Sequence, residues 1–473
     1  MNLERFFDRK LAQASYLVGC GATGEALVVD PNRDVEQYVK AAESEGLKIT
    51  HVTETHIHAD YVSGTRELAG QTGAKVYLSD EGDENWKYGF ADDAVLLKDG
   101  DSFNVGNVRI DVLHTPGHTP EHLTFMVTDT AGADRPMGVF SGDCLFVGDV
   151  GRPDLLEKAA KFEGTMEAAA RQLFHSVQRY RELPDFLQVW PGHGAGSACG
   201  RSPGAVPQST LGYEKFFNWA FRDQTEDEFV RSVLADQPEP PKYFAQMKRV
   251  NRDGPELLGG LRLPRRQADM RLRELLDAGS LIIDTRQSSD YASAHIPGTI
   301  NIPLNRSFNT WAGWLVPYDR DFYLIVEEGD HANPVEEASR DLAMIGLDRL
   351  AGYFGSKTAE GWVGDGRRLG EVEEITLAGL AEGLNAGELA LIDVRDPAEW
   401  RGEHIPGAPN IPLGYLPDRL KEIAANRPVV LHCETGARSI IGVSLLQAMG
   451  FRNVLNFMGG VKDWKAAGYP IDE

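Results

Sequence analysis

Two stretches of this chain repeat each other without a gap, LIIDTRQSSDYASAHIPGTINIPL and ALIDVRDPAEWRGEHIPGAPNIPL, starting at Leu281 and Ala390. Each sets an Asp-x-Arg after an apolar run and a His-Ile-Pro-Gly eleven residues beyond the aspartate (295 − 284 and 404 − 393). The copies lie 109 residues apart (393 − 284). Solenoid repeats recur every 20 to 50 residues or so, so this spacing points to two compact domains. Short apolar runs alternate with helical patterns such as MRLRELLDAG and SIIGVSLLQAMG, which predicts parallel α/β units. The duplication accounts for less than half of 473 residues, too many for one core, and the 42% of apolar residues suffice for several.

Ahead of the duplication, the segment from Ala235 to Pro264, ADQPEPPKYFAQMKRVNRDGPELLGGLRLP, concentrates proline, glycine and charge. It is expected to hold no regular helix or central strand and to act as a connector. The expected domains are residues 1–235, a linker at 236–264, and two duplicated domains at 265–365 and 366–473. A formal charge of −23 repels polynucleotides and anionic membranes, so neither is an expected partner. The start, MNLERFFDRKLAQASY, lacks the apolar core of a signal peptide, no run is long enough to span a bilayer, and a cytoplasmic protein is expected. A homo-oligomer is the expected assembly. Cys20, Cys144, Cys199 and Cys433 form no close-spaced pair, which disfavours a disulfide framework or zinc knuckle. Any reactive cysteine acts alone.

The first half alternates strands such as YLVGCGATGEALVVDP and NVRIDVLHT with helices such as EQYVKAAESEG and FEGTMEAAARQLFHSV, the pattern of a layered α/β sandwich. GCGATG, Gly19 to Gly24, matches a dinucleotide-binding pattern, but that fingerprint requires a helix to follow, and EALVVDP reads as a strand. These glycines are expected to form a hairpin turn. Histidines and acids sit at the ends of apolar runs, embedded in glycine or proline: His56, His58 and Asp60 in THIHADYVSG, His118 in HTPGHTPEH, Asp143 in VFSGDCL and His193 in VWPGHGAG. Loops at strand ends can converge while the sheet holds them still, so this set predicts a metal site. His51, His114, His122 and His175, taken singly, read as solvated or core histidines, and Cys144 as packing.

The order THxHxD, GHT, GD, GH resembles the metallo-β-lactamase fold, and residues 1 to about 235 resemble its persulfide dioxygenase branch. In binuclear hydrolases of that superfamily, including glyoxalase II, the first motif runs THxHxDH, its last aspartate and histidine serving a second metal. Here Tyr61 takes the last place, and a neutral phenol is a poor ligand. The resemblance thus implies one Fe(II) per chain on a facial triad of His56, His118 and Asp143, with positions left for O2 and a persulfide sulfur. His58, Asp60, Tyr61 and His193 then either orient ligands and water or are remnants of a second site. Arg152 in GDVGRPDL suits either a substrate carboxylate or a structural aspartate. Cys199, on the glycine-rich loop after His193, is expected near the metal mouth, where the resemblance implies that it receives or relays sulfane sulfur.

VVLHCETGARSIIGVSLLQAMG runs from a strand through Cys433 into a helix starting near Arg438 or Ser439. A cysteine in such a turn, facing inward backbone N–H groups, is set as a nucleophile, with Glu434, Thr435, Gly436 and Ala437 forming the substrate-binding loop. This segment resembles rhodanese sulfurtransferases, in which an arginine follows the cysteine by five residues (438 − 433). In the first copy the strand FYLIVEEGDHANP ends in Glu327 and Glu328, and no cysteine lies between Cys199 and Cys433, so that copy is read as an inactive spacer or interface domain. The whole is similar to persulfide dioxygenase–rhodanese fusions: an N-terminal metallo-β-lactamase-like αββα sandwich followed by two rhodanese-like α/β domains with parallel sheets. That implies oxidation of a thiol persulfide by O2 to sulfite, with Cys433 making or consuming thiosulfate. The alternative is a glyoxalase II-type thioester hydrolase with a fused rhodanese binding module.

Overall fold

The computed structural model describes residues 1–155, 164–235, 237, 239–328, 333–424 and 426–473. The first residues of the helix expected from Phe162, and the start of the expected linker at position 236, lie outside them. The chain divides into two units, Met1–Leu261 with Ala343–Gly346, and Arg262–Leu342 with Leu347–Glu473. No helix among the described residues is long and apolar enough to cross a membrane.

The first unit is built on two six-stranded sheets. In one, the strands Asn2–Asp8, Gln13–Cys20, Glu25–Val29, Lys48–Thr53, Lys75–Ser79 and Val95–Leu97 lie side by side in chain order. The other runs, edge to edge, Ser209–Thr210, Gln188–Pro191, Gly138–Gly142, Leu123–Asp129, Val108–His114 and Ser102–Val105. Their inner faces share one apolar cluster that includes Tyr16, Val18, Leu27, Val29, Ile110, Phe125, Phe140 and Trp190. The helix Glu36–Ser44 turns Tyr38 and Ala42 onto the outer face of the first sheet, beside Leu17, Val28 and Val52. On the second sheet Met166–Glu182 buries Ala169, Ala170, Leu173, Val177 and Tyr180, the i, i+3, i+4 spacing of a one-sided helix. The layers are therefore helix, sheet, sheet, helix. GCGATG closes a hairpin: Cys20 faces Glu25 across antiparallel strands, and Gly24 has a φ of 74°.

The second unit holds two four-stranded, wholly parallel sheets. The first copy orders its strands Ile300–Asn301, Leu281–Asp284, Phe322–Val326 and Leu350–Gly355; the second orders Ala390–Asp393, Val429–His432, Val454–Asn456 and Glu373–Glu374. Single bridges supply the missing edge of each: Asp393 with Asn410 in the second copy, Arg266 with Tyr353 in the first. The two topologies are the same.

One expectation fails. The connector contains a regular helix, Tyr243–Asp253, which buries Tyr243, Phe244, Met247 and Asn251 on one side. Proline flanks this helix but does not enter it, and YFAQMKRVN carries the apolar spacing that local composition obscured.

Candidate functional site

Four strand ends of the first unit deliver the predicted metal residues. His56 and His58 follow Lys48–Thr53, His118 sits in the turn between Val108–His114 and Leu123–Asp129, Asp143 follows Gly138–Gly142, and His193 follows Gln188–Pro191. Gly142 makes the Asp143 turn possible: its φ is 50°, and a Cβ there would stand 2.5 Å from His122 Nε2 and 2.6 Å from Thr55 Oγ1.

His56, His118 and Asp143 converge, their ligand atoms all within 4.8 Å of one another and all three residues buried. Each imidazole is oriented from behind. His118 Nδ1 donates to the Arg152 carbonyl (3.0 Å), and His56 Nδ1 meets Thr55 Oγ1 (3.0 Å), whose hydroxyl donates to Asp30 (2.9 Å). Both rings are thereby fixed with Nε2 turned to Asp143 Oδ2, at 3.8 Å for His56 and 3.5 Å for His118. His56 Nε2 is buried with no hydrogen-bond partner among the described residues, the condition of a ligand atom awaiting a cation. Two imidazoles and a carboxylate in this arrangement fit a divalent transition metal such as iron or zinc.

His58 lies outside that group, although its Nδ1 is likewise buried with no hydrogen-bond partner among the described residues. Its Nε2 donates to Asp30 Oδ1 (3.0 Å), an aspartate whose left-handed backbone (φ 53°) aims both oxygens at Thr55 and His58. Asp60, His193 and Cys199 form a second buried group, their ligand atoms also within 4.8 Å of one another. His193 bridges the two groups, donating from Nδ1 to Asp143 (2.7 Å) and from Nε2 to Asp60 (2.8 Å). Tyr61 is buried, its hydroxyl donating to the Asp30 carbonyl (3.3 Å). The substrate-carboxylate reading of Arg152 is corrected: its side chain is fully buried and forks onto Asp154 with two bonds of 2.7 Å. With the guanidinium committed to Asp154, its backbone braces the site, the carbonyl accepting from His118 and the N–H donating to the Cys199 carbonyl (2.9 Å).

In the second unit, Cys433 leaves the strand Val429–His432 and the helix Ala437–Ala448 begins four residues on (437 − 433). The Gly436 N–H donates to Cys433 Sγ (3.2 Å), and Ser439 Oγ lies 3.8 Å from the sulfur. Gly436 turns with a φ of 91°, and a Cβ there would meet the Met458 carbonyl at 2.3 Å, so only glycine fits. Thr435 and Ala437 are exposed at the rim, and Glu434 is paired with Arg395 (3.3 Å). Arg438 forks onto Glu399 through bonds of 2.6 and 2.7 Å.

These geometries have relatives. The metallo-beta-lactamase superfamily profile matches residues 8–193, and the rhodanese-like domain profile matches 270–353 and 376–467. A crystal structure of a metallo-beta-lactamase from Staphylococcus aureus is 44% identical, covering 75% of this chain and 99% of that one, with a TM-score of 0.67. The chain belongs to the metallo-beta-lactamase superfamily. It carries tandem rhodanese-like domains behind that first domain. A beta-lactamase hydrolase-like protein of Agrobacterium fabrum is 30% identical over 297 residues, 57% of this chain and 62% of that protein. A hydroxyacylglutathione hydrolase of Rhodospirillum rubrum is 34% identical over 185 residues, 38% of this chain and 60% of that protein. The chain thus spans about 60% of the length of the curated relatives it matches.

Electrostatics in the metallo-beta-lactamase domain follow from burial and pairing. Desolvation pushes His56 and His118 below the ordinary histidine range, which keeps them neutral, the form that ligates a cation. Burial opposes the charged forms of Asp143 and His193 as well, but their mutual attraction wins, holding the carboxyl well down and the imidazole well up. Burial, then the nearby carboxylates, pushes Tyr61 well above the usual phenol value, so it stays a neutral donor. Desolvation, then Asp60 and Asp143, pushes the Cys199 thiol up too, so this cysteine has a place beside the metal pocket without the charge of a free nucleophile. Cys144 is inert packing, buried and pushed up to about 12.

Three contributors escaped sequence reasoning. Asn251, in the unexpected helix, donates to the carbonyls of His58 and Tyr61 (2.7 Å each) and accepts from the Ser63 N–H (2.9 Å), clamping the metal loop. Its signal was the helical spacing of its apolar neighbours. Asp30 follows an apolar strand and precedes a proline, the context that singled out the other ligands. His122, read as a core histidine, accepts the Asp143 N–H at Nε2 (3.1 Å) and holds the ligand's backbone.

Proposed function

We propose that this protein is a bifunctional enzyme of sulfur metabolism. The first domain would oxidise a low-molecular-weight thiol persulfide with O2, and Cys433 would carry sulfane sulfur between thiosulfate, sulfite and thiols. The balanced oxidation is RSSH + O2 + H2O giving RSH, sulfite and two protons. One observation carries the reading: the ligand atoms of His56, His118 and Asp143 converge, two imidazoles and one carboxylate, and His58, tied to Asp30 through Nε2, lies outside that group. Ferrous iron held there would supply the redox chemistry that O2 requires. The chain's own part is to present neutral imidazoles, to keep Asp143 anionic through His193, and to keep Tyr61 protonated and tied to Asp30. In the rhodanese loop, Cys433 would take the sulfur, with the Gly436 N–H holding the charge it develops. Cys199 is proposed to receive sulfur at the metal pocket, beside Asp60 and His193.

The hydroxyacylglutathione hydrolase relative supports a second reading, thioester hydrolysis by a metal-activated water. Anaerobic purification, metal analysis and O2 uptake on adding a thiol persulfide separate the two. About one iron per chain with persulfide-dependent uptake is expected. Two zinc ions with thioesterase activity and no uptake would overturn the dioxygenase reading.

A further inference from the structure

We propose that Glu399 selects the sulfur donor of the Cys433 loop, its pairing with Arg438 disfavouring dianionic thiosulfate and favouring persulfides that carry little other charge. This inference rests on the sulfurtransferase reading of Cys433. Arg438 closes the loop, five residues after the cysteine, and the Cys433 thiol is among the groups that help hold its guanidinium charged. Its guanidinium is nevertheless saturated on one edge by the Glu399 carboxylate, at 2.6 and 2.7 Å. Although burial opposes it, that pair holds the Glu399 carboxyl below its ordinary range, so the partner is a full negative charge at neutral pH.

The other guanidinium at the loop is committed as well. Arg395 forks onto Asp393 (3.0 and 2.9 Å), donates to the Glu403 carbonyl (2.6 Å) and reaches Glu434 (3.3 Å). Glu434 follows the cysteine directly and is itself 43% exposed, a carboxylate at the rim. Lys462 meets the loop through its backbone N–H, which donates to the Glu434 carbonyl (3.4 Å). A dianion approaching Cys433 therefore meets two guanidiniums already paired with carboxylates, and the partly exposed Glu434 carboxylate, and is repelled more than a persulfide bearing little other charge. Specificity here comes from a repulsive element as much as from an attractive one.

Both donors lead to the same enzyme species. From thiosulfate, the Cys433 thiolate attacks the outer sulfur, the S–S bond to the sulfonate sulfur breaks, and sulfite leaves with the electron pair. From a persulfide RSSH, the thiolate takes the terminal sulfur and the thiol RSH leaves with the proton. No outside oxidant or reductant is needed in either case.

Glu399→Gln isolates the charge. Glu399 also caps its own helix, Pro397–Gly402, accepting the Asp396 N–H (3.0 Å) in a capping box that glutamine preserves. The test is steady-state sulfur transfer by the full chain, with thiosulfate and with an alkyl persulfide free of other charges, alongside mass spectrometry of Cys433. The expected result is that KM for thiosulfate falls by about fivefold or more in the variant while KM for the persulfide moves by less than about twofold. An unchanged or raised thiosulfate KM would overturn the proposal and make Glu399 a residue that merely orients Arg438. If Glu399→Gln does not fold, Glu434→Gln tests the same repulsion, with a lowered thiosulfate KM expected and an unchanged one overturning it. Failure of the unaltered protein to acquire a sulfur on Cys433 from either donor would instead overturn the sulfurtransferase reading, and this proposal with it.

Discussion

The two rhodanese-like copies share a skeleton bond for bond. Arg286 forks onto Asp284 and donates to the Ala294 carbonyl (3.0 Å); Arg395 forks onto Asp393 and donates to the Glu403 carbonyl (2.6 Å). Asn301 ties the carbonyls of Asp284 and Arg286 together as Asn410 ties those of Asp393 and Arg395. His295 stacks on Tyr291 with ring centroids 4.1 Å apart, and His404 on Trp400 at 4.0 Å. Only one copy has a cysteine loop. The strand pairings align Asp284 with Ile325 and Asp393 with His432, so the next residue, Cys433 in one copy, is Val326 in the other. The repeated Asp-x-Arg and His-Ile-Pro-Gly are therefore fold determinants, and the chemistry lies in the stretch where the copies do not match.

The largest effect follows directly. Cys433→Ser is expected to abolish sulfur transfer while leaving persulfide-dependent O2 uptake intact, and His118→Ala to do the reverse; loss of uptake in both variants would break the independence of the two sites. Val326→Cys sharpens the contrast. It restores a thiol at the equivalent place, followed by a glycine at the same spacing, Gly329 for Gly436, but by His331 where the other copy has Arg438, so no sulfur on the introduced thiol is expected in mass spectrometry. A persulfide there would mean that a cysteine at this strand end needs no arginine to be activated.

The same division explains what could be read from sequence. Three layers of evidence were legible because each is local: the gapless duplication, the strand-then-turn setting of His56, His118 and Asp143, and the turn between Cys433 and Arg438. What stayed hidden was partnership across long separations. Arg152 carried no mark of its choice of Asp154, and Asn251 lies 193 residues from the carbonyl it binds at His58. Composition also misleads, since prolines that flank a helix, as Pro241 and Pro255 do here, count the same as prolines within one. Asn251→Ala tests this hidden clamp: the metal loop loses three buried hydrogen bonds, and metal affinity is expected to fall by about 10- to 100-fold, as for other groups that orient metal ligands. Competition with a chelator measures it, and unaltered affinity would show that the loop holds itself.

A smaller effect separates the two skeletons energetically. Arg395 is 2% exposed and its aspartate 0%, whereas Arg286 is 14% exposed. Removing one partner of a buried pair leaves a charge stranded, at about 3–5 kcal/mol. Arg395→Ala is expected to approach that cost in denaturant unfolding, and Arg286→Ala to cost less because Arg286 already lies partly in water. Equal losses would mean that burial does not distinguish the pairs. Arg286→Ala should in addition leave sulfur transfer untouched.

The smallest effect is a dependence on acidity carried by the copy that lacks the cysteine. Burial, the main cause, holds His295 below the ordinary histidine range, opposed by its bond to the Tyr291 carbonyl (3.0 Å). The folded form thus binds its proton less readily than the unfolded chain. Stability from this group is complete above the unfolded value, about 6.5, and is lost as pH falls through it, because the unfolded state takes up the proton first. Thermal midpoints measured between about pH 7.5 and 5.5 should therefore decline for the unaltered protein, and decline less steeply for His295→Asn, which keeps a donor toward Tyr291 but does not titrate. An identical slope in both would place the acid sensitivity elsewhere, in the buried metal-site histidines or in His432 of the cysteine-bearing copy, which burial holds down at about 4.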